Sequence, residues 1–347
     1  VEENALRRWL LSSCALLGLA AGAGCDLIES RSLARAGNAA YLASDYRTAI
    51  EQYRAALALD PLTPNLQLNL GYAYFSVYDP SSDKPADREA AARAVEAFDE
   101  HLKLNPTDES ATNFKIKTLL KAAPHEPLLA DLALQTFLDI LREDPKDHEA
   151  RQYLITLFID CRRYEDAVRF FQARLEQDPQ DTETMKILAI IADKSKQTQS
   201  AVDWYWRRAE RVQEPEKKAV LYYEVGTYAW SLLHYQPDRV QGVDALRLAD
   251  QGIEACLRAM QLKEKYAEAM IYGNLLYLKR ALFEPDEQGR YASQARAFEL
   301  RKAAGEILQE RKKAEADAQT AEPGEPGSAE FEAPAEAGSG EEAKASN

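Results

Sequence analysis

Four cysteines in 347 residues are too few for a disulfide scaffold. Lys and Arg are outnumbered 43 to 57 by Asp and Glu, giving a formal charge of -14. That balance argues against a nucleic-acid groove, which needs clustered cations to meet phosphate. Acidic charge otherwise bears on solubility, not on fold. There are four histidines, His101, His125, His148 and His234, and no two stand at metal-ligand spacing. No HExxH, CxxC, GxSxG or Gly-rich phosphate loop occurs either, so the familiar catalytic constellations are missing. The apolar run from Trp9 to Gly24 falls short of the roughly 20 residues a spanning helix needs. Gly and Pro are modest at 15 each, and the abundance of Ala, Leu, Glu and Arg favours helix.

What the chain does have is internal repetition. Three segments align: YRTAIEQYRAALALDP (46–61), AARAVEAFDEHLKLNP (91–106) and YEDAVRFFQARLEQDP (164–179). Each carries a small residue, an aromatic four positions on and a proline eight after that. These are Ala49, Tyr53 and Pro61; Ala94, Phe98 and Pro106; Ala167, Phe171 and Pro179. Ala133, Phe137 and Pro145 make a fourth set, and Pro145 to Pro179 is a step of 34 residues. Ahead of these helices come Gly37 in the first unit, Leu70, Gly71 and Tyr74 in the second, and Leu154 and Phe158 in the fourth, with Ile155 where a glycine is expected. A small residue lets two helices approach, the aromatic fills the gap, and proline ends the second helix because it cannot continue the hydrogen-bond ladder.

The period and signature resemble the tetratricopeptide repeat (TPR), a helix–turn–helix unit. The resemblance implies an all-α fold, a right-handed superhelical solenoid of about seven TPR units over residues 31–315. Four units are clear. A fifth keeps Leu188, Ala201 and Tyr205. A sixth uses Gly226 and resumes at Gly252, Cys256 and Ala259. A seventh starts near Tyr266, with Tyr272 and Gly273, and continues in a second helix from about Ala292 to Glu315. Three insertions break the period: 79–89, 122–129 and 234–244, which their Pro, Gly and charge mark as exposed loops. From Ala316 to Asn347 the chain turns to Glu, Ala, Pro and Gly with one aromatic, Phe331, a composition expected to stay disordered.

The opening segment reads as an address. Arg7 and Arg8 precede the apolar run, which decays through Ala20, Ala21, Gly22, Ala23 and Gly24 to Cys25. This resembles a bacterial lipoprotein signal peptide: residues 1–24 the signal, Cys25 the lipidated new N-terminus, and 25–30 a short linker. Gly22 departs from the aliphatic residue usual there. Leu11-Ser12-Ser13-Cys14 fits the local pattern better but leaves almost no apolar region before it, so Cys25 is preferred. The alternative is an uncleaved helix or membrane anchor. Val1 stands either for an alternative start codon or for a truncated chain. The resemblance implies a lipid-anchored protein of the cell envelope that faces the periplasm, with the choice of membrane open.

Other candidate residues have plain readings. His101 takes a position where the repeat has Ala, so it packs between helices; His125 and His234 fall in loops, and His148 begins a helix. Asp144, Asp147 and Glu149 suit a turn and a helix start, where carboxylates are favoured. Cys161 and Cys256 lie several helices apart by the repeat assignment and are expected unpaired. The aromatic stretches VDWYWRR (202–208) and TYAWSLLHY (227–235) are either core packing or a ligand cage, with packing preferred.

In the TPR family the first helices line a concave groove that binds peptide segments or partner helices, in some members through a carboxylate clamp. Asn38 and Asn69 fall on the two Asn positions of that clamp. Ala34 replaces one of its basic residues, Ser110 and Phe114 replace two others, and Lys115 and Lys117 lie nearby. The expected role is an envelope scaffold or assembly factor binding other proteins. A pilotin-like partner of one secretion or pilus subunit is the alternative, and a helical-repeat enzyme acting on the cell wall a weaker one. No catalytic residue, cofactor, metal, nucleic acid or small-molecule substrate is expected.

Overall fold

A computed structural model describes residues 26–321, with side-chain burial described to residue 317. Cys25, the segment before it and the residues from 322 onward lie outside the described residues. Those described form fourteen helices and no strand. They group into two compact units divided after Arg211.

The first unit holds five helix pairs. These are α1 (26–42) with α2 (Tyr46–Leu59), α3 (Leu66–Val77) with α4 (Pro85–Leu104), α5 (Glu109–Ala122) with α6 (Pro127–Glu143), α7 (His148–Asp160) with α8 (Tyr164–Gln177), and α9 (Thr182–Lys194) with α10 (Thr198–Arg211). The second unit holds two pairs: α11 (Pro215–Tyr235) with α12 (Gly242–Leu262), and α13 (Ala267–Phe283) with α14 (Glu287–Ala321). Among the described residues the seven helix pairs, five in one unit and two in the other, are the all-α pairs the repeats imply.

Local chemistry sets the helix ends. Asp45, Asp108, Asp147 and Asp181 each accept a bond from a backbone N–H two or three residues on, capping α2, α5, α7 and α9. Pro85, Pro127 and Pro215 open α4, α6 and α11, where a missing N–H costs nothing. Ser44, Arg162 and Lys196 turn the chain with positive φ between the helices of the first, fourth and fifth pairs. One such left-handed residue closes a helix and reverses the chain within a few residues.

The repeat signature is the core. Ala49, Ala94, Ala133 and Ala167 are each 0% exposed, and Tyr53, Phe98, Phe137 and Phe171 are at most 1% exposed. A Cβ on Gly37 would stand 2.5 Å from the Tyr53 ring, and one on Gly71 2.5 Å from the Phe98 ring. The small residue thus admits the aromatic of its own pair. Phe98 also reaches the next pair, with its ring centroid 6.3 Å from that of Phe114. Leu70, Leu154 and Phe158 are buried, as is Ile155 in the glycine position, while Tyr74 is half-buried. Pro61, Pro106, Pro145 and Pro179 follow α2, α4, α6 and α8 by two residues.

Several boundaries differ from the sequence expectations. Residues 26–30 are the first turns of α1, not a linker, because Ser30 is buried and donates its hydroxyl to the Ala56 carbonyl at 2.9 Å. The insertions are partly helix extensions. Residues 85–89 begin α4, 127–129 begin α6, and His234 and Tyr235 end α11. His234 is therefore helical, not in a loop; its ring stacks on Trp230 with centroids 4.6 Å apart. At the C-terminal end α14 runs to Ala321, past the expected limit at Glu315, since residues 316–321 (Ala, Asp, Ala, Gln, Thr, Ala) include no Gly or Pro to break the helix.

Candidate binding groove

The first helices of the first two pairs bring together the two asparagines singled out by the sequence. Asn38, Tyr41 and Leu42 of α1, Tyr53 of α2, and Asn69 and Tyr72 of α3 line a cleft of about 270 Å³. None of the six is charged. Tyr53 donates its hydroxyl to Asn38 Oδ1 at 2.8 Å, and Asn69 Nδ2 donates to the same oxygen at 3.1 Å. A carbonyl oxygen has two lone pairs, so Asn38 Oδ1 is fully used. Asn38 Nδ2 and Asn69 Oδ1 have no partner among the described residues. The pair therefore keeps one amide donor and one amide acceptor unused, the two functions a peptide group needs. Burial, followed by the nearby Tyr41, pushes the Tyr53 hydroxyl up to about 12, so it stays a donor at neutral pH.

The lining continues onto α5. Tyr72 shares a hydrogen bond with Ser110 Oγ at 2.8 Å and meets Phe114 edge-on at 4.6 Å. The positions where a clamp would carry cations thus hold a hydroxyl and an aromatic ring. Lys115 is turned aside to Asp99 of α4 at 2.5 Å. Lys117 stands over the Phe114 ring at 4.8 Å. It also helps line a second cleft, of about 350 Å³, with Asn113 and Leu120 of α5, Phe137 of α6, and Glu149 and Tyr153 of α7. Tyr153 donates to Glu149 at 3.0 Å, and that carboxylate holds the phenol above its ordinary range. The direction of Lys117 is not readable from sequence, because the odd-length insertion 79–89 in the second pair interrupts the repeat register ahead of α5.

The remaining candidates have structural partners. His101 is buried, with Nε2 2.8 Å from Asp108. The Ala111 N–H, then His101, hold the Asp108 carboxyl below its usual range. Asp147 caps α7, Asp144 accepts from the Lys146 N–H, and Glu149 serves Tyr153. His125 and His148 are exposed. Among the described residues no group of three or more His, Cys, Asp or Glu is placed to hold a metal ion. No described helix is long and apolar enough to cross a membrane.

Cys161 and Cys256 are free thiols. Cys256 sits under Gly226, where an added Cβ would lie 2.4 Å from its sulfur. The aromatics of α11 and α13 pack in series: Tyr223 on Tyr266 at 5.4 Å, Tyr223 on Tyr272 at 5.5 Å, and Tyr272 on Trp230 at 5.3 Å. Trp204 packs against the first unit's core, with Arg207 over its ring at 4.9 Å.

These features define an all-α protein of stacked helix pairs. Residues 37–77, from the middle of α1 to the end of α3, match the family model described as TPR repeat. That segment holds both groove asparagines and both glycine–aromatic contacts begin in it. TPR repeats support a protein–protein interaction scaffold. No curated protein matches the chain. Among solved structures, the one described as "Crystal structure of MamA" is similar over 67% of this chain and 99% of its own, at 17% identity and a TM-score of 0.29. At that score the likeness is no guide to shape or role.

Proposed function

We propose that this protein is a non-catalytic scaffold or assembly factor that holds peptide segments or partner helices of other proteins in the α1–α3–α5 groove. The observation that carries the reading is the Asn38–Asn69 pair, with one amide donor and one acceptor open beside an uncharged cleft. A partner backbone can pair with both amides while one of its side chains enters the cleft. The interaction surface is short, so neighbouring clefts such as that of Lys117 and Tyr153 extend it.

The proposal includes an anchor. Residues 1–24 are a signal peptide, Cys25 carries the lipid, and the helix pairs face the periplasm from a membrane of the bacterial envelope. The support is the order of Arg7, Arg8, the apolar run and the small residues before Cys25. Residues 25–347 then form the anchored protein, with the helix pairs followed by an acidic tail.

Two experiments test the two parts separately. Cross-linked purification from membranes compares the wild type with the Asn38→Ala, Asn69→Ala double variant. A defined set of envelope proteins captured by the first and lost by the second is expected; an unchanged set refutes the groove. Palmitate labelling compares wild type with Cys25→Ser. Label lost from the variant is expected, and label retained refutes Cys25 as the anchor.

A further inference from the structure

The cleft at Asn38 and Asn69 is built without charge. Its other walls are Tyr41, Leu42, Tyr53 and Tyr72. Tyr53 gives its hydroxyl proton to Asn38, and burial raises that group to about 12, so it stays neutral at ordinary pH. Beyond Tyr72 the lining continues as the Ser110 hydroxyl and the Phe114 ring, again uncharged. The nearby cations are directed elsewhere. Arg35 is exposed and lines no part of the cleft. Lys115 is paired with Asp99, and Lys117 lines the next cleft, which has its own carboxylates in Asp147 and Glu149. Two polar functions remain unused at the first cleft: the donor Asn38 Nδ2 and the acceptor Asn69 Oδ1.

We infer that this groove is specific for an extended, uncharged stretch from the interior of a partner chain, and takes neither a partner helix nor a chain end. The inference narrows the function proposed above and rests on it. The unused amide groups exclude a helix. Away from its ends, each N–H and C=O of a helix is already bonded within it, so it has nothing to give Asn69 Oδ1 or to receive from Asn38 Nδ2. An extended residue has both groups open and can use both on one edge. The missing charge excludes a terminus. A carboxylate carried into the cleft would lose water and meet no cation, and an ammonium would meet no carboxylate; an uncompensated charge of either sign is costly to bury. The tyrosine and leucine walls instead favour an apolar side chain, which gains by leaving water.

Selection of random peptides on the full chain tests this. The library displays segments of about twelve residues, roughly 40 Å when extended, inside a surface loop and so without a free end. The best binder is then synthesised with both ends blocked, and again with a free C-terminal carboxylate. By fluorescence anisotropy the two forms should bind within about twofold of each other. Aspartate at one apolar position of the blocked peptide should weaken binding about tenfold or more. The Asn38→Ala, Asn69→Ala double variant should also bind about tenfold more weakly, having lost two hydrogen bonds. Carbon-13 shifts of the bound peptide should be those of extended chain. A binder that needs its free carboxylate, that tolerates aspartate at every apolar position, or that is helical when bound would overturn this inference; the groove itself would stand if the double variant still weakened binding. Recovery of no binder, or binding unchanged in the double variant, would overturn both.

Discussion

Asn69 donates a side-chain N–H to Asn38 Oδ1 at 3.1 Å, joining the first helices of two neighbouring pairs. The same oxygen accepts the Tyr53 hydroxyl from the second helix of its own pair. Three helices thus meet at one atom on the rim of the cleft. The two asparagines differ in what they support. Asn69→Ala removes one exposed bond and should cost less than about 1 kcal/mol. Asn38→Ala also strips the Tyr53 hydroxyl of its acceptor and should cost about 1 kcal/mol more. Urea unfolding of the two variants checks the order; a larger loss for Asn69→Ala would contradict this geometry.

Alkaline pH should weaken the first pair through Tyr53. Its hydroxyl is raised to about 12 by burial, against an ordinary value of 10.0. The folded state therefore keeps a proton that the unfolded chain releases. Stability from this group is full below about pH 10 and is lost as pH rises toward 12. Tyr53→Phe should flatten that part of the unfolding profile. A slope identical in the variant would show that the phenol does not titrate with folding.

Two kinds of glycine should respond in opposite directions. Gly71→Ala puts a methyl 2.5 Å from the Phe98 ring and should destabilise by about 1–3 kcal/mol. Gly305→Ala meets open space and should stabilise α14 by up to about 1 kcal/mol. Thermal unfolding of both variants separates steric from conformational effects.

The thiols should be unequal. Burial pushes Cys256 up to about 12, while Cys161 is raised by burial yet remains half-exposed. Alkylation of the native protein near pH 8 should mark Cys161 first and Cys256 only after denaturant is added. Gly226→Ala should be poorly tolerated alone, because the added carbon falls 2.4 Å from the Cys256 sulfur. Combining it with Cys256→Ala should recover part of the loss, and a purely additive double variant would contradict the contact.

Much of the fold was legible because buried positions recur. Ala49 and Tyr53, and their equivalents through Ala167 and Phe171, are fixed by contacts inside one helix pair, so each copy preserves the same pattern. Pair boundaries that depend on composition were less legible. Proline in 79–89 and 122–129 suggested loops, yet Pro85 and Pro127 begin helices, where proline is favoured. Residues 316–321 looked like tail but continue α14, because three of the six are Ala and the first Pro and Gly come only at 323 and 324. The asparagine positions were visible in the repeat register. Their shared oxygen was not, since it depends on Tyr53 arriving from a different helix. Nor was the turning of Lys115 toward Asp99, which leaves Lys117 beside the groove.

The most direct test of the groove is a photoreactive residue placed at its rim in living cells. Leu42 lines the cleft and is 84% exposed; Leu104 is 63% exposed at the end of α4 and lines no part of it. Benzoylphenylalanine at position 42 should capture discrete protein partners on irradiation, and the Asn38→Ala, Asn69→Ala background should abolish them. Capture equal at position 104, or undiminished in that background, would contradict binding through the groove.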